Sequence, residues 1–300
     1  KNNQLTHRAS SSIKSLIQHC KSLEELNLTN NSITHRGIGR FMGEISSSCN
    51  LKTLYLAHNH LGSQGIARLV KDLRAGRHNL EFLDLTCNQA GNKGMHSLLG
   101  MLLYDQMLQK LWLASNDFGA PCGGMLSSIL RHNHTLVELR LGGNQLGNEG
   151  AVEISKGLLE NNSLVRLEID WNQIGDVGAS GIAEALTKNG KLLVLDLNGN
   201  HISREGGVAL AQALPYHLQL RELHLDHNRL DDEAALEFEK SLISCGRNLQ
   251  LIQCESNNFS EQGLKALEQG WRFRSNCIGW LKRDLQKIQR NEVTTLNWLH

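Results

Sequence analysis

Apolar and polar positions follow one pattern that recurs along nearly the whole chain. The pattern is L-x-x-L-x-L-x-x-N-x-L, with other apolar residues replacing some of the leucines. Copies begin at Leu23, Leu51, Leu80, Leu108, Leu136, Leu164, Leu192, Leu220 and Leu249. Successive copies start 28 or 29 residues apart. So constant a period predicts a solenoid, in which each repeat packs only on its neighbours.

Each repeat predicts one short strand and one helix. In the first half, as at Leu26 and Leu28, apolar residues alternate with polar ones, which predicts a strand with one buried face. In the second half, as at Ala179, Ile182 and Leu186, apolar residues recur at helical spacing. Strands pair about 4.8 Å apart and helices pack about 9 Å apart, so we expect strands on the concave side and helices on the convex side.

An asparagine follows every predicted strand. These residues are Asn31, Asn59, Asn88, Asn116, Asn144, Asn172, Asn200, Asn228 and Asn257. An amide both donates and accepts hydrogen bonds, so a buried column of asparagines can bond the loop backbone of successive coils. We interpret the column as a structural ladder and not as a ligand site, because a buried amide requires bonded partners.

The quoted repeat resembles the leucine-rich repeat family, and the 28-residue period with a helical second half is similar to its ribonuclease-inhibitor-like subclass. The resemblance covers nearly the whole chain and implies an α/β leucine-rich repeat solenoid of horseshoe shape. It does not specify one function. Such arrays serve ribonuclease inhibition, Ran GTPase activation, actin capping, axonemal scaffolding and innate immune sensing.

The repeat boundaries predict three parts of the chain. Residues 1–22 match the second half of a repeat, residues 23–270 hold nine repeats, and residues 271–300 depart from the pattern. Asn3 stands 28 residues before Asn31, so the chain begins inside a coil and we expect a fragment of a longer protein. The last part predicts a C-terminal helical cap over the final coil. The alternative is a basic amphipathic helix that binds a partner or an anionic membrane.

Composition narrows the class of partner. The formal net charge is +1, from 31 Lys+Arg against 30 Asp+Glu, so the basic excess typical of nucleic-acid-binding proteins is absent. Seven cysteines without a C-x-x-C pair favour reduced thiols in an intracellular protein. We therefore expect a cytoplasmic monomer without nucleic acid, membrane, metal or cofactor. Five N-x-[ST] sequons, including those at Asn133 and Asn161, are weak evidence for secretion in so asparagine-rich a chain.

No catalytic motif occurs in the sequence. It contains no G-x-x-x-x-G-K-[ST], no H-E-x-x-H and no G-x-S-x-G. His224 and His227, three residues apart across a turn, would bind a metal only with a third ligand. We predict that the chain is not an enzyme.

The candidate site is the concave face, whose outward positions are mainly acidic. They hold the acids Glu25, Asp84, Glu138, Glu168, Asp170, Asp196, Glu222, Asp226 and Glu255 against the bases Lys110, Arg140 and Arg166. Because the whole chain is nearly neutral, we expect the helical face and C-terminus to be basic. Aromatic residues lie among these charges, as interface anchors do, although Phe82 and Trp112 could instead cover neighbouring strand backbone. The predicted partner-binding residues are Tyr55, Phe82, Asp84, Trp112, Glu138, Arg140, Glu168, Asp170, Trp171, Asp196, Glu222, His224 and Asp226.

These observations favour a non-enzymatic interaction scaffold that binds a protein with a basic segment. An axonemal or cytoskeletal scaffold is one version of this hypothesis. The first alternative is the C-terminal sensor or autoinhibitory array of a NOD-like nucleotide-binding receptor. The second is a Ran-type GTPase activator, but the acidic tail of such activators is missing, since the last thirty residues hold six Lys+Arg against two Asp+Glu.

Overall fold

Short strands alternate with helices along the whole described chain. The computed structural model describes residue 3 and residues 5–48, 50–75, 78–244 and 248–272. The strands are β1 (Glu25–Asn27), β2 (Thr53–Tyr55), β3 (Phe82–Asp84), β4 (Lys110–Trp112), β5 (Glu138–Arg140), β6 (Arg166–Glu168), β7 (Val194–Asp196), β8 (Glu222–His224) and β9 (Leu251–Gln253). The helices are α1 (Ser10–His19), α2 (His35–Ser48), α3 (Gly62–Ala75), α4 (Gly91–Leu102), α5 (Cys122–His132), α6 (Gly147–Leu158), α7 (Asp176–Leu186), α8 (Arg204–Ala213), α9 (Asp232–Ser244) and α10 (Glu261–Arg272).

The nine strands form one open sheet in chain order, and neighbouring strands are parallel. Equivalent residues pair, as Leu139 of β5 does with Leu111 and Leu167. This central residue is buried in every strand, whereas the flanking residues mostly keep some exposure. The predicted α/β solenoid is therefore confirmed. We number its coils 1 to 9 from Leu23 to Leu249, at the repeat starts.

The apolar core lies between the sheet and the helices. Helix α7 buries Ala179, Ile182, Ala183 and Leu186, as its periodicity predicts. The strand leucines and the helical apolar residues of all nine coils join one continuous cluster. The other side of the sheet faces solvent. We call it the strand face, formed by the first and third residues of each strand and by the two residues before each ladder asparagine.

Hydrogen bonds of the predicted asparagine ladder connect successive coils. The Oδ1 atom of Asn144 accepts the backbone N–H groups of Asn116 (2.9 Å) and Phe118 (3.1 Å). Its Nδ2 group donates to the carbonyls of Leu113 (3.2 Å) and Leu141 (2.7 Å). Eight of the nine ladder asparagines are buried, and Asn257 is half-buried. Each amide thus satisfies backbone groups of two coils at once.

A second column of amides lies where each helix ends. The Nδ2 group of Asn161 donates to the Leu130 carbonyl of the preceding coil (2.6 Å), and its Oδ1 atom accepts the Leu164 N–H group (2.7 Å). Asn133 and Asn189 bond in the same way. Asn133 and Asn161 are each only 2% exposed, so these two sequons cannot carry a glycan in the folded chain.

Some helix N-termini are bonded by a side chain of the preceding coil. The Oδ1 atom of Asn148 accepts the N–H groups of Gly175 (2.7 Å) and Gly178 (3.0 Å), at the start of α7. Asp176 bonds Ser203 and Gly206 equivalently at the start of α8. These contacts satisfy donors that a helix leaves unpaired at its first turn.

The two ends of the predicted repeat array differ in how far they are described. At the N-terminal end, Asn31 Oδ1 accepts the N–H groups of Asn3 (3.1 Å) and Leu5 (2.9 Å), with the same partner positions as between full coils. At the other end, helix α10 buries Trp271. The remainder of the predicted cap at 271–300 lies outside the described residues.

Candidate functional site on the strand face

Every turn that leaves a strand adopts the same unusual backbone conformation. The residue before the ladder asparagine has a positive φ in all nine coils: Asn30, His58, Cys87, Ser115, Gly143, Trp171, Gly199, His227 and Ser256. This left-handed conformation costs most residues about 1–2 kcal/mol. Only two of the nine residues are glycine. We infer that the hydrogen bonds of the adjacent ladder asparagines hold the other seven in this conformation. Side chains at this position belong to the strand face.

Three aromatic side chains form a row across coils 2 to 4. The ring centroids of Tyr55 and Phe82 are 4.9 Å apart, and those of Phe82 and Trp112 are 4.7 Å apart in an edge-to-face arrangement. The Nε1 group of Trp112 donates to Glu138 (2.9 Å), and the Arg140 guanidinium lies 4.2 Å from the Trp112 ring centroid. We call Tyr55, Phe82 and Trp112 the aromatic cluster. Its members are half-buried and held by their neighbours.

An open cleft adjoins the aromatic cluster. It has a volume of about 340 Å³. It is lined by Thr53, Tyr55, Glu81, Phe82, Gln109, Lys110 and Trp112. Aromatic walls with a few polar groups at the rim are typical of sites that accept an apolar group.

Charged side chains in the middle of the strand face form ion pairs with one another, although burial still raises the pKa of Glu168. Arg140 Nε lies 2.6 Å from Glu138 Oε1 and 3.3 Å from Glu168 Oε2. Arg166 approaches Glu168 (3.3 Å) and Glu222 (3.8 Å). Burial acts to raise the pKa of Glu138, but bonds from Arg140 and Trp112 outweigh it and hold that pKa below its usual value. We call Lys110, Glu138, Arg140, Arg166, Glu168 and Glu222 the ion-pair network.

Burial raises the pKa of two aspartates, one in coil 6 and one in coil 7. Burial, with the nearby charge of Asp196, raises the pKa of Asp170 to about 6. Burial also raises the pKa of Asp196, with Glu168 and Asp226 acting in the same direction. Among the described residues, neither Asp170 nor Asp196 forms an ion pair with Lys or Arg. We call Asp170, Asp196 and the adjacent Asp226 of coil 8 the acidic cluster.

Two glycines make room for side chains beside the acidic cluster. A Cβ atom on Gly142 would overlap the Asp170 carboxylate, and one on Gly199 would overlap the Trp171 ring. Trp171 therefore lies against Gly199, with its ring centroid 5.9 Å from that of His227. It remains 57% exposed. Trp171 is thus the most exposed of the Phe, Tyr and Trp side chains on the strand face.

Other predicted site residues are placed differently from expectation. Asp84 is only 6% exposed, because its strand-register neighbours are the large side chains Tyr55 and Trp112, and its carboxylate accepts the Thr86 N–H group (3.0 Å). Asp84 is therefore buried, and not exposed as its strand-face position predicts. His224 bonds Gln253 and Glu222, whereas His227 lies beside Trp171. Among the described residues, no group of three or more His, Cys, Asp or Glu side chains could hold a metal ion.

The helix face is not uniformly basic, contrary to the sequence-based expectation. Helices α2 to α4 carry Arg36, Arg40, Arg68, Lys71, Arg74 and Lys93 against Glu44 and Asp72. Helix α9 carries Asp232, Glu233, Glu237 and Glu239 against Lys240. Charge on this face therefore changes sign along the solenoid. A whole-chain charge balance could not reveal this, because it contains no positional information.

Comparison with protein families identifies the repeat. The family model described as Leucine Rich repeat matches residues 19–41, 47–70, 77–99, 132–155, 160–183, 188–211 and 219–238, which together exceed half of the chain. The chain belongs to the leucine-rich repeat family. Leucine-rich repeat domains are generally non-enzymatic modules that bind proteins. No helix in the described part of the chain is long and apolar enough to cross a membrane.

Solved structures similar to this leucine-rich repeat chain come from several proteins. An internalin from Listeria monocytogenes is 19% identical, with 82% of this chain and 78% of that chain covered and a TM-score of 0.46. The tropomodulin C-terminal domain from Caenorhabditis elegans is 18% identical, covering 60% and 92%, with a TM-score of 0.38. Leiomodin-1 actin-binding site 2 is 20% identical, covering 48% and 80%, with a TM-score of 0.34. A search of curated proteins gave no match. At these identities and TM-scores, the partners of those proteins carry no argument for this chain.

Proposed function

We propose that this chain is a non-enzymatic interaction scaffold whose strand face binds a Lys- or Arg-containing segment of a partner protein. The observation that carries the proposal is that Asp170 and Asp196, next to exposed Trp171, form no ion pair with Lys or Arg among the described residues. Cationic side chains of a partner would supply ion pairs to these two carboxylates, whose pKa stays raised despite the nearby charges of Arg140 and His224.

Electrostatics supports this choice of partner. Carboxylates held close together in a half-buried surface focus a negative potential, which attracts cations and repels phosphate groups. Each exposed ion pair contributes at most about 1 kcal/mol, so charge mainly sets the association rate and the salt dependence. The charges alone do not account for tight binding.

Trp171 is the best candidate for the residue that holds the partner. Desolvating a large aromatic side chain at an interface can contribute about 2 kcal/mol or more. Its ring is already fixed against Gly199, so little side-chain entropy would be lost on binding. A guanidinium or ammonium group could lie over the ring while contacting Asp170, since cations favour the faces of Trp rings.

Selection from a random peptide library tests the proposal even though the partner protein is unidentified. A library of roughly 12-residue peptides would be panned against the full chain. Peptides rich in Lys and Arg should be enriched, and their affinity should fall at least tenfold on Asp170→Lys with Asp196→Lys. The matched control is Glu184→Lys with Glu233→Lys, which changes net charge equally on the helix face.

The control decides where binding occurs. Equal losses in both double variants would show a nonspecific charge effect, and enrichment of acidic peptides would contradict the proposal. A second readout is kinetic. Trp171→Ala should speed dissociation of the selected peptides, whereas the strand-face charge reversal should slow association and weaken its salt dependence.

A further inference from the structure

The strand face has three chemically distinct parts in order along the solenoid. The aromatic cluster and its cleft occupy coils 2 to 4, the ion-pair network is centred on coils 5 and 6, and the acidic cluster occupies coils 6 to 8. Charges of the middle part already bond one another. Contacts with the two outer parts should therefore contribute most of the binding free energy of a partner.

The cleft favours an apolar side chain. Its walls are Tyr55, Phe82 and Trp112, and the indole N–H group of Trp112 already donates to Glu138. A volume of about 340 Å³ lies at the small end of ligand cavities, which span about 300–1,000 Å³. The cleft suits one aromatic or long aliphatic side chain.

Strand spacing sets the distance between the two outer parts. Phe82 lies on β3, whereas Asp170 and Asp196 belong to coils 6 and 7, three and four strands further along the sheet. Parallel strands are about 4.8 Å apart, which gives about 14–19 Å. An extended chain advances about 3.3 Å per residue, so about four to six residues cover this distance. A helix would need about nine to thirteen, at about 1.5 Å per residue.

We propose that the strand face binds a two-point motif, in which an aromatic or long aliphatic side chain enters the cleft and a Lys or Arg four to six residues away contacts Asp170 and Asp196. The basic half of this motif rests on the proposed function above. The apolar half and the spacing depend on the cleft and the sheet geometry. The segment crosses the ion-pair network in an extended conformation.

Synthetic peptides of defined spacing test the motif. The probes are fluorescein-labelled peptides with one Phe and an Arg-Lys-Arg run, separated by Gly-Ser spacers of about two, five or ten residues. Anisotropy titrations with the full chain should show the middle spacer binding at least fivefold tighter than the others. Replacing the Phe of that peptide by Gly should remove the advantage.

Variants of the chain locate each half of the motif. Thr53→Tyr and, separately, Gln109→Tyr should obstruct the cleft and remove the spacer preference while basic-run binding remains. Two positions are used because either substitution alone could perturb the fold. Glu184→Tyr, at an exposed position of helix α7 away from the strand face, is the matched control and should change nothing.

The outcomes separate this motif from the proposed function. Equal affinity for all spacers, with loss of binding on Asp170→Lys with Asp196→Lys, would overturn the motif and leave the proposed function standing. A preference for the ten-residue Gly-Ser spacer, which is flexible and does not form a helix, would show that the two contacts lie further apart than an extended segment of four to six residues reaches, and would overturn the stated spacing. Binding of none of the peptides, together with no basic enrichment from the library, would overturn both.

Discussion

The aromatic and acidic clusters lie on the same strand face but differ in their neighbours. Hydrogen-bonding and cationic neighbours hold the aromatic cluster, whereas Asp170 and Asp196 of the acidic cluster form no ion pair with Lys or Arg among the described residues. Trp112 donates to Glu138 and lies beneath Arg140, so its polar and aromatic groups already have partners. Trp171 is exposed, and the nearby carboxylates of Asp170 and Asp196 repel one another. The two Trp residues therefore differ in their surroundings, because Trp112 is half-buried and held by its neighbours and Trp171 is mainly exposed.

A substitution in the asparagine ladder between the two clusters should have the largest effect on the free energy of unfolding. Asn144, in coil 5, bonds two backbone N–H groups and two carbonyls at a buried site. Asn144→Ala leaves these groups unpaired, so we expect a loss of about 3 kcal/mol in the free energy of unfolding. The exposed neighbour Gln145 is the control, and Gln145→Ala should cost little. Equal urea midpoints for the two variants would contradict the ladder.

Sequence periodicity predicted the ladder positions because the loop after each strand has the same backbone N–H and carbonyl groups that need hydrogen-bond partners. The second column, at Asn133, Asn161 and Asn189, has the same 28-residue spacing and could have been found in the same way. It was hidden because the residue varies, with Asp105 and His217 at equivalent positions. Ladder asparagines never vary in this chain.

The division of the strand face could not be predicted from position alone. The repeat pattern predicts which positions belong to the strand face, but the difference between Trp112 and Trp171 depends on which neighbours reach each ring. Glu138 and Arg140 come from the adjacent coil, and Gly199 makes room for Trp171 by lacking a Cβ atom. Such contacts can be identified only from the side-chain geometry, since a position in the repeat motif shows only which face of the sheet a residue lies on.

Truncating the two tryptophans should separate their roles. Trp112→Ala removes an edge-to-face contact, a hydrogen bond and a cation–π contact, and should cost about 2 kcal/mol in stability. Trp171→Ala should change stability by at most about 0.5 kcal/mol, because that side chain is mainly exposed. Chemical denaturation of both variants measures this. Similar losses for the two would remove the distinction between the clusters.

Neutralising one carboxyl group of the ion-pair network and one of the acidic cluster should shift the free energy of unfolding in opposite directions. The lowered pKa of Glu138 means that its carboxylate stabilises the fold above the unfolded-state pKa, and that this contribution is lost as pH falls through the folded-state value. Glu138→Gln should therefore lower stability at pH 7. The pKa of Asp170 is raised from 3.8 to about 6, so its ionisation opposes folding increasingly as pH rises through this range.

Asp170→Asn should therefore raise stability at pH 7, and the gain should shrink towards pH 4. Each effect should be about 1 kcal/mol, since solvent screens these half-buried groups. Urea unfolding of the wild type and both variants at several pH values gives the comparison. Parallel pH profiles for Glu138→Gln and Asp170→Asn would show that the two regions do not differ electrostatically.

The smallest effect concerns the backbone that carries Trp171. Its φ of 51° lies in the left-handed region, where a Cβ atom causes strain. Trp171→Ala removes the ring but keeps the strain, whereas Trp171→Gly removes both. We expect the Gly variant to be more stable than the Ala variant by about 0.5–1 kcal/mol, because the higher unfolded-state entropy of Gly offsets part of the relief. Both variants should bind selected basic peptides equally weakly. Thermal unfolding measures the stability difference, and fluorescence anisotropy measures peptide binding. A more stable Ala variant would show that the turn is unstrained, and retained binding by either variant would remove Trp171 from the contact surface.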